Sequence, residues 1–227
     1  MSQLISLFQV AIVFGTVIMY GCIGEIITEK AGNLNLGVPG IMYLGGISGL
    51  IGAFYYENST ENPNAILCIV IALLCSFVAS ALAGLIYSFL TITLKANQNV
   101  TGLTITIFGS GIANFYGGYL NKLAGGVGQI SVSSTSTAFR TMLPFATTTG
   151  NIGKILFSYG FMVYLAVILA IVVQYFFNRT RKGLALRAVG EDPATADAAG
   201  INVTKYKYVA TCLGAGISGL GGTYYVM

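Results

Sequence analysis

Histidine and tryptophan are absent from this chain, charged residues make up only 8% of it, and proline occurs four times among 227 residues. Without histidine, the commonest general base and the commonest metal ligand are both missing. A soluble domain carries about 25% charged residues, so the charge deficit excludes an ordinary soluble fold. Cysteine is scarce too, and Cys22, Cys68, Cys75 and Cys212 all fall inside apolar runs, where a thiol behaves as a small hydrophobe. No disulfide, metal site or cofactor is expected. The net charge of +4 is scattered over short loops and forms no basic face, which speaks against nucleic acid as a partner. No acidic or basic residue lies in the middle of an apolar run, which argues against proton coupling. Sodium bound by backbone carbonyls stays open.

What remains is hydrophobic. Apolar residues make up 55% of the chain, and the mean hydropathy is +0.79. A membrane-spanning helix needs about 20 mostly apolar residues. Leu4 to Gly24, Gly40 to Tyr56, Ala65 to Leu94, Val100 to Leu120, Ile155 to Phe177 and Tyr208 to Met227 are the candidates. The expected fold is therefore all-α, a polytopic transmembrane bundle of about six spans in a single domain over residues 1–227. The first run lacks a basic leader and a small-residue cleavage pattern, so it reads as a retained span and not a signal peptide.

Orientation follows from the cation bias of short loops. Placing the 179–203 loop in the cytoplasm puts Lys30, Lys95, Arg179, Arg181, Lys182, Arg187, Lys205 and Lys207 inside, and only Lys122, Arg140 and Lys154 outside. The N-terminus is then extracellular, together with the 55–64 and 121–151 loops. The Ser, Thr and Gly density of AGGVGQISVSSTSTAF in the 121–151 loop marks an irregular segment, either a docking surface or a cover.

Between the first two runs, EIITEKAGNLNLGVPG, Glu25 to Gly40, is too polar to face lipid and too rich in Gly, Asn and Pro for a continuous helix. Such backbone is tolerated at membrane depth only where protein buries it or it lines a cavity. With a short second run after it, the stretch predicts a broken second span beside a pathway, a device of transporter binding sites. Glu25 and Glu29 read as interfacial. In the fourth run, Thr104, Thr106, Ser110 and Asn114 face protein or water; Asn114 either contacts a substrate or makes an interhelical hydrogen bond.

Ser76, Ser80, Gly84 and Ser88 recur every four residues, a packing stripe for close helix approach. Gly214, Gly216 and Gly219 spell G-x-G-x-x-G, but no strand precedes them and no acidic residue follows, so they too form a packing face. TTTGNIGKI lacks the first glycine of a phosphate loop and has Ile155 where magnesium needs a hydroxyl. The chain is not expected to hydrolyse ATP and offers no catalytic residues. ISGLIGAFYY at 47–56 and ISGLGGTYYV at 217–226 are alike, as internal repeats of transporters are.

The 179–203 stretch, RTRKGLALRAVGEDPATADAAGINV, carries a compact helix signal: Asp192 as N-cap, Pro193 at the first position and Gly200 past the end. A helix of roughly two turns is marginal alone in water, so it needs something to pack against. The alanines at 194, 196, 198 and 199 give it a smooth face for a partner's groove.

Two stretches, RAVGEDPATADAAGINV at 187–203 and GEIITEKAGNLNLGVPGIMYLGG at 24–46, resemble the membrane permeases of bacterial ABC importers for simple sugars, branched-chain amino acids and nucleosides. The 24–46 stretch is most similar to the nucleoside branch. The resemblance implies a multi-pass protein of the bacterial cell membrane whose partners are ABC ATPase subunits, a second permease subunit and an extracellular substrate-binding lipoprotein. It implies that Arg187, Glu191, Asp192, Pro193, Ala196, Ala199 and Gly200 form a cytoplasmic coupling element against an ATPase. For a nucleoside cargo, Asn33, Asn35, Phe108, Asn114 and Phe115 are the pathway candidates. A ribose-type sugar permease and an ATPase-independent transporter or channel are the alternatives. Members of the family continue beyond the point matching Met227, so a C-terminally truncated chain is expected.

Overall fold

In a computed structural model, residues 2–123, 125, 126, 130, 132–141 and 158–227 are described, the side chains of residues 2–5 excepted. The regular structure there is entirely helical: α1 (Ser2–Glu29), α2 (Val38–Ser59), α3 (Ala65–Ser88), α4 (Gln98–Leu123), α5 (Ser133–Arg140), α6 (Phe161–Arg179), α7 (Arg181–Glu191), α8 (Pro193–Ala198) and α9 (Val203–Val226). A π-helical turn at Phe89–Thr93 extends α3. Short polar side chains start several of these helices by accepting their free backbone N–H groups. Asn64 accepts from Ile66, Thr180 from Gly183 and Asn202 from Lys205.

Among the described residues, four helical stretches are long and apolar enough to cross a membrane: Ser6–Glu29, Val38–Ser59, Ala65–Thr93 and Phe161–Arg179. The expected six are not all met. Helices α4 and α9 have the length, at 26 and 24 residues, but a weaker hydropathy. Much of α9 is not there to face lipid: its glycines, serines and threonines pack against α1, α2 and α3.

Helix α9 is the axis of the bundle, and its glycines set the spacing. A Cβ on Gly214 would fall 2.4 Å from the Gly24 carbonyl oxygen, one on Gly222 1.9 Å from that of Met42, and one on Gly219 1.9 Å from Ser80 Oγ. Only hydrogen fits there. From α3, the Ser76 hydroxyl donates to the Gly219 carbonyl at 2.9 Å and Ser80 donates to Ile41 at 3.3 Å. The glycine triplet of α9 and the small-residue stripe of α3 are thus packing faces, as their spacing predicts. The pairings Gly45 with Gly219 and Gly49 with Thr223 rise together, so α2 and α9 run in the same direction and the two similar stretches lie side by side. Gly24 with Gly214 and Tyr20 with Gly221 run oppositely, which sets α1 against α9.

Three expectations change. The second helix is not broken: α2 runs uninterrupted for 22 residues, with Pro39 in its first turn, where a missing N–H costs nothing. Its glycines at 40, 45, 46 and 49 do not interrupt it because each lies against a neighbouring helix. Within the loop expected to be irregular, residues 133–140 form α5. Glu57, at the end of α2, accepts from the Thr135 N–H at 2.6 Å and the Ser134 N–H at 3.4 Å, placing a carboxylate at the positive end of that helix. Phe139 then buries against Phe161, ring centroids 5.4 Å apart. Glu25 is not simply interfacial, because it reaches under the α1–α2 link. The expected start of the fifth run at Ile155, the TTTGNIGKI stretch, Lys154 and much of the 121–151 loop lie outside the described residues.

Candidate functional site

The polar stretch after α6 folds as two short helices. Asp192 accepts from the backbone N–H of Ala194 at 3.0 Å and of Thr195 at 3.3 Å, and the Thr195 hydroxyl donates to its other oxygen. These donors, the Thr195 hydroxyl foremost, hold the Asp192 carboxyl below the ordinary aspartate range. At the far end Gly200 takes φ +80°, Ile201 N–H donates to Ala196 at 3.0 Å and Gly200 N–H to Asp197 at 2.9 Å. That is a Schellman closure, which needs a left-handed residue and so favours glycine. The cap, the first-position proline and the terminal glycine stand where the sequence signal puts them.

Helix α8 exposes every residue except Ala196, which is 3% exposed and turned inward. The smooth outward face therefore consists of Ala194, Ala198 and Ala199, while Ala196 anchors the helix to its own protein. Arg187 lies 4.0 Å from Glu191, one turn on along α7. A pair this exposed contributes about 0.3–0.5 kcal/mol.

What holds α7 in place is again glycine. A Cβ on Gly183 would meet the Phe176 carbonyl oxygen at 2.1 Å, and one on Gly190 would meet that of Lys30 at 2.3 Å. Gly190 therefore rests directly on the link between α1 and α2. That link, residues 30–37, is irregular backbone whose polar groups are met by side chains from three helices, α1, α3 and α4. Glu25 accepts from Asn35 N–H at 2.8 Å, Tyr87 donates to the Leu34 carbonyl at 2.6 Å, Gln98 accepts from Leu34 N–H at 2.8 Å and Thr106 donates to the Leu36 carbonyl at 3.1 Å.

Asn33 and Asn35 belong to this lattice. Asn33 is 1% exposed and donates to Thr211 at 3.1 Å; Asn35 is 3% exposed and accepts from Gly37 N–H at 2.9 Å. Their amides are occupied within the protein. Phe108 lines an apolar crevice with Leu44, Leu82 and Ile105, and Phe115 is exposed, edge-on to Tyr116.

Asn114 is the one pathway candidate that reaches a cavity with polar character. A space of about 400 Å³ opens between α1, α2, α4 and α9, lined by Val17, Met42, Tyr43, Asn114 and Tyr225 among others, none of them charged. The structure thus does not gather the five pathway candidates at one place. Sequence reasoning missed Tyr43 and Tyr225. Pro39, Tyr43 and Gly46 follow helical spacing, a face readable only if the second helix is taken as continuous. Gly190 was missed because its close approach depends on a residue 160 positions earlier.

The family model described as "Branched-chain amino acid transport system / permease component" matches residues 6–227. The chain belongs to that family. Among similar proteins, a candidate glucose ABC transporter permease protein of Haloferax volcanii is 31% identical over 99% of this chain and 63% of its own length. A nucleoside ABC transporter permease protein of Lactococcus lactis is 28% identical over 94% of this chain and 65% of its own length. A guanosine ABC transporter permease protein of Bacillus subtilis is 29% identical over 98% of this chain and 68% of its own length. The permease chain thus spans about two thirds of the length of these relatives. No solved structure matches it.

Proposed function

We propose that this permease forms the translocation path of an ATP-driven importer for nucleosides. The observation that carries the proposal is the uncharged cavity of about 400 Å³ in which two tyrosines, Tyr43 and Tyr225, stand with one amide, Asn114. A nucleobase offers a flat face for an aromatic ring and edge groups for an amide, and needs no counter-charge. A path loaded by a separate binding protein needs only weak contacts, which suits so sparse a polar lining.

Helices α7 and α8 are the coupling surface. The exposed alanines of α8, the cap at Asp192 and the closure at Gly200 give a rigid knob for the cleft of an ATPase subunit, and hydrolysis takes place in that partner. Gly190 passes the motion to the α1–α2 link, and α2 leads from the link into the cavity wall. Two ATPase subunits, a second permease subunit and an extracellular substrate-binding lipoprotein complete the assembly. In it α4 and α9 also span, giving six spans with the N-terminus outside, and α7 and α8 lie in the cytoplasm.

A sugar importer is the alternative reading, favoured by the glucose-named relative. Uptake by the intact importer in proteoliposomes separates the two. The nucleoside reading expects ATP-dependent uptake of labelled guanosine or uridine that excess glucose or ribose does not suppress, and reduced uptake in Tyr43→Leu and Asn114→Leu. Hexose uptake blocked by no nucleoside overturns the substrate. Uptake without ATP overturns the importer itself.

A further inference from the structure

Another crevice, of about 330 Å³, opens between α1 and α6 at the end where α7 begins. Its floor is apolar, with Ile23, Ala170 and Val173, and its rim is polar, with Lys30, Gln174, Asn178 and Arg187. The polarity is graded along the helix axes: apolar side chains lie where the apolar stretches of both helices run, and the two cations stand where those stretches end. Arg187 has Glu191 at 4.0 Å, whereas Lys30 has no acidic partner within 4.0 Å among the described residues. The side of α1 and α6 next to the crevice is open and apolar, with Ile26 45% and Ile171 60% exposed.

The geometry points to a binding site for one anionic phospholipid between α1 and α6, the phosphate held by Lys30 and Arg187 and an acyl chain laid along Ile23 and Val173. Charge complementarity commits the site to this occupant. A soluble anion would use the rim and leave the apolar floor uncovered, and a neutral hydrocarbon would use the floor and leave Lys30 uncompensated at the membrane face. Basic pockets between membrane helices at the bilayer surface recognise acidic headgroups in this way. The site touches Arg187 on α7, so a bound lipid would brace the same helix that rests on the α1–α2 link.

Native mass spectrometry of the intact importer tests the site, with phosphatidylglycerol, phosphatidylcholine and inorganic phosphate as separate probes. Phosphatidylglycerol is expected to be retained about tenfold over phosphatidylcholine, as two cations at the surface imply. The preference is lost in the double variant Lys30→Gln/Arg187→Gln, kept in Lys30→Arg/Arg187→Lys, and lost in Ala170→Trp, which fills the floor and leaves the cations. Equal retention of the two lipids overturns the site, as does a preference that survives the double glutamine variant. Phosphate that binds with the same dependence on the cations while Ala170→Trp changes nothing reassigns the rim to a soluble anion and overturns the lipid. These outcomes are read without uptake, so they stand apart from the transport reading.

Discussion

Gly190 of α7 sits on the carbonyl oxygen of Lys30 so closely that a Cβ there would fall 2.3 Å from it. The contact ties the exposed α7–α8 segment to the link from which α2 begins. Because the obstacle is backbone and not the tip of a flexible side chain, Gly190→Val must lift α7 from the link. Overpacking of this kind costs about 1–3 kcal/mol. In a domain of this size that is a fall in Tm of roughly 2–12 °C, measurable by thermal unfolding in detergent. A valine variant that melts with the wild type means that α7 does not sit on the link.

Gly118 of α4 and Gly222 of α9 should respond in opposite ways. A Cβ on Gly222 would overlap the Met42 carbonyl at 1.9 Å, whereas one on Gly118 meets nothing within 4 Å. Gly222→Ala is expected to abolish a folded, detergent-stable protein. Gly118→Ala is expected to leave it intact or raise stability by about 0.5–1 kcal/mol, the helix-interior difference between the two residues. Size-exclusion profiles and melting curves distinguish them.

The Asp192 cap should depend on pH. Its carboxyl is held below the ordinary aspartate range, so its contribution is fully present above the unfolded value and is lost as pH falls through the depressed native one. Hydrogen exchange at the Ala194 and Thr195 amides, corrected for intrinsic rates, is expected to lose protection only on acidification. In Asp192→Asn, which still caps but does not titrate, that dependence should vanish.

Asn33 separates a structural role from a transport role. Buried and bonded to Thr211, it is expected to act on stability: Asn33→Leu removes that bond, while the Thr211 hydroxyl keeps its own to the Lys207 carbonyl, and costs about 0.5–1.5 kcal/mol. The relative uptake of different nucleosides should stay as it was. A changed cargo preference at unchanged stability would place Asn33 in the path instead.

Local signals were the legible ones. Asp192, Pro193 and Gly200 announce a helix through backbone chemistry contained within nine residues, and the structure builds that helix. The stripe of Ser76, Ser80 and Gly84 is readable because helical period alone brings those residues to one face. The eight-residue link was legible as irregular, but not its place between two whole helices, because what satisfies it comes from Tyr87, Gln98 and Thr106, far along the chain. Helix α5 was hidden for the same reason, since its amino end is met by Glu57. Residue type points to the pathway asparagines, and type alone does not tell a buried amide bonded to Thr211 from one open to a cavity.

The proposed coupling runs from the ATPase through α7 and α8 to the cavity. ATP hydrolysed per nucleoside taken up, in the intact importer with Gly200→Pro or Asp192→Lys, tests it most directly. Both variants are expected to insert normally and continue to hydrolyse ATP, while uptake falls about tenfold or more, so that the ratio rises by the same factor. An unchanged ratio in both variants would contradict it.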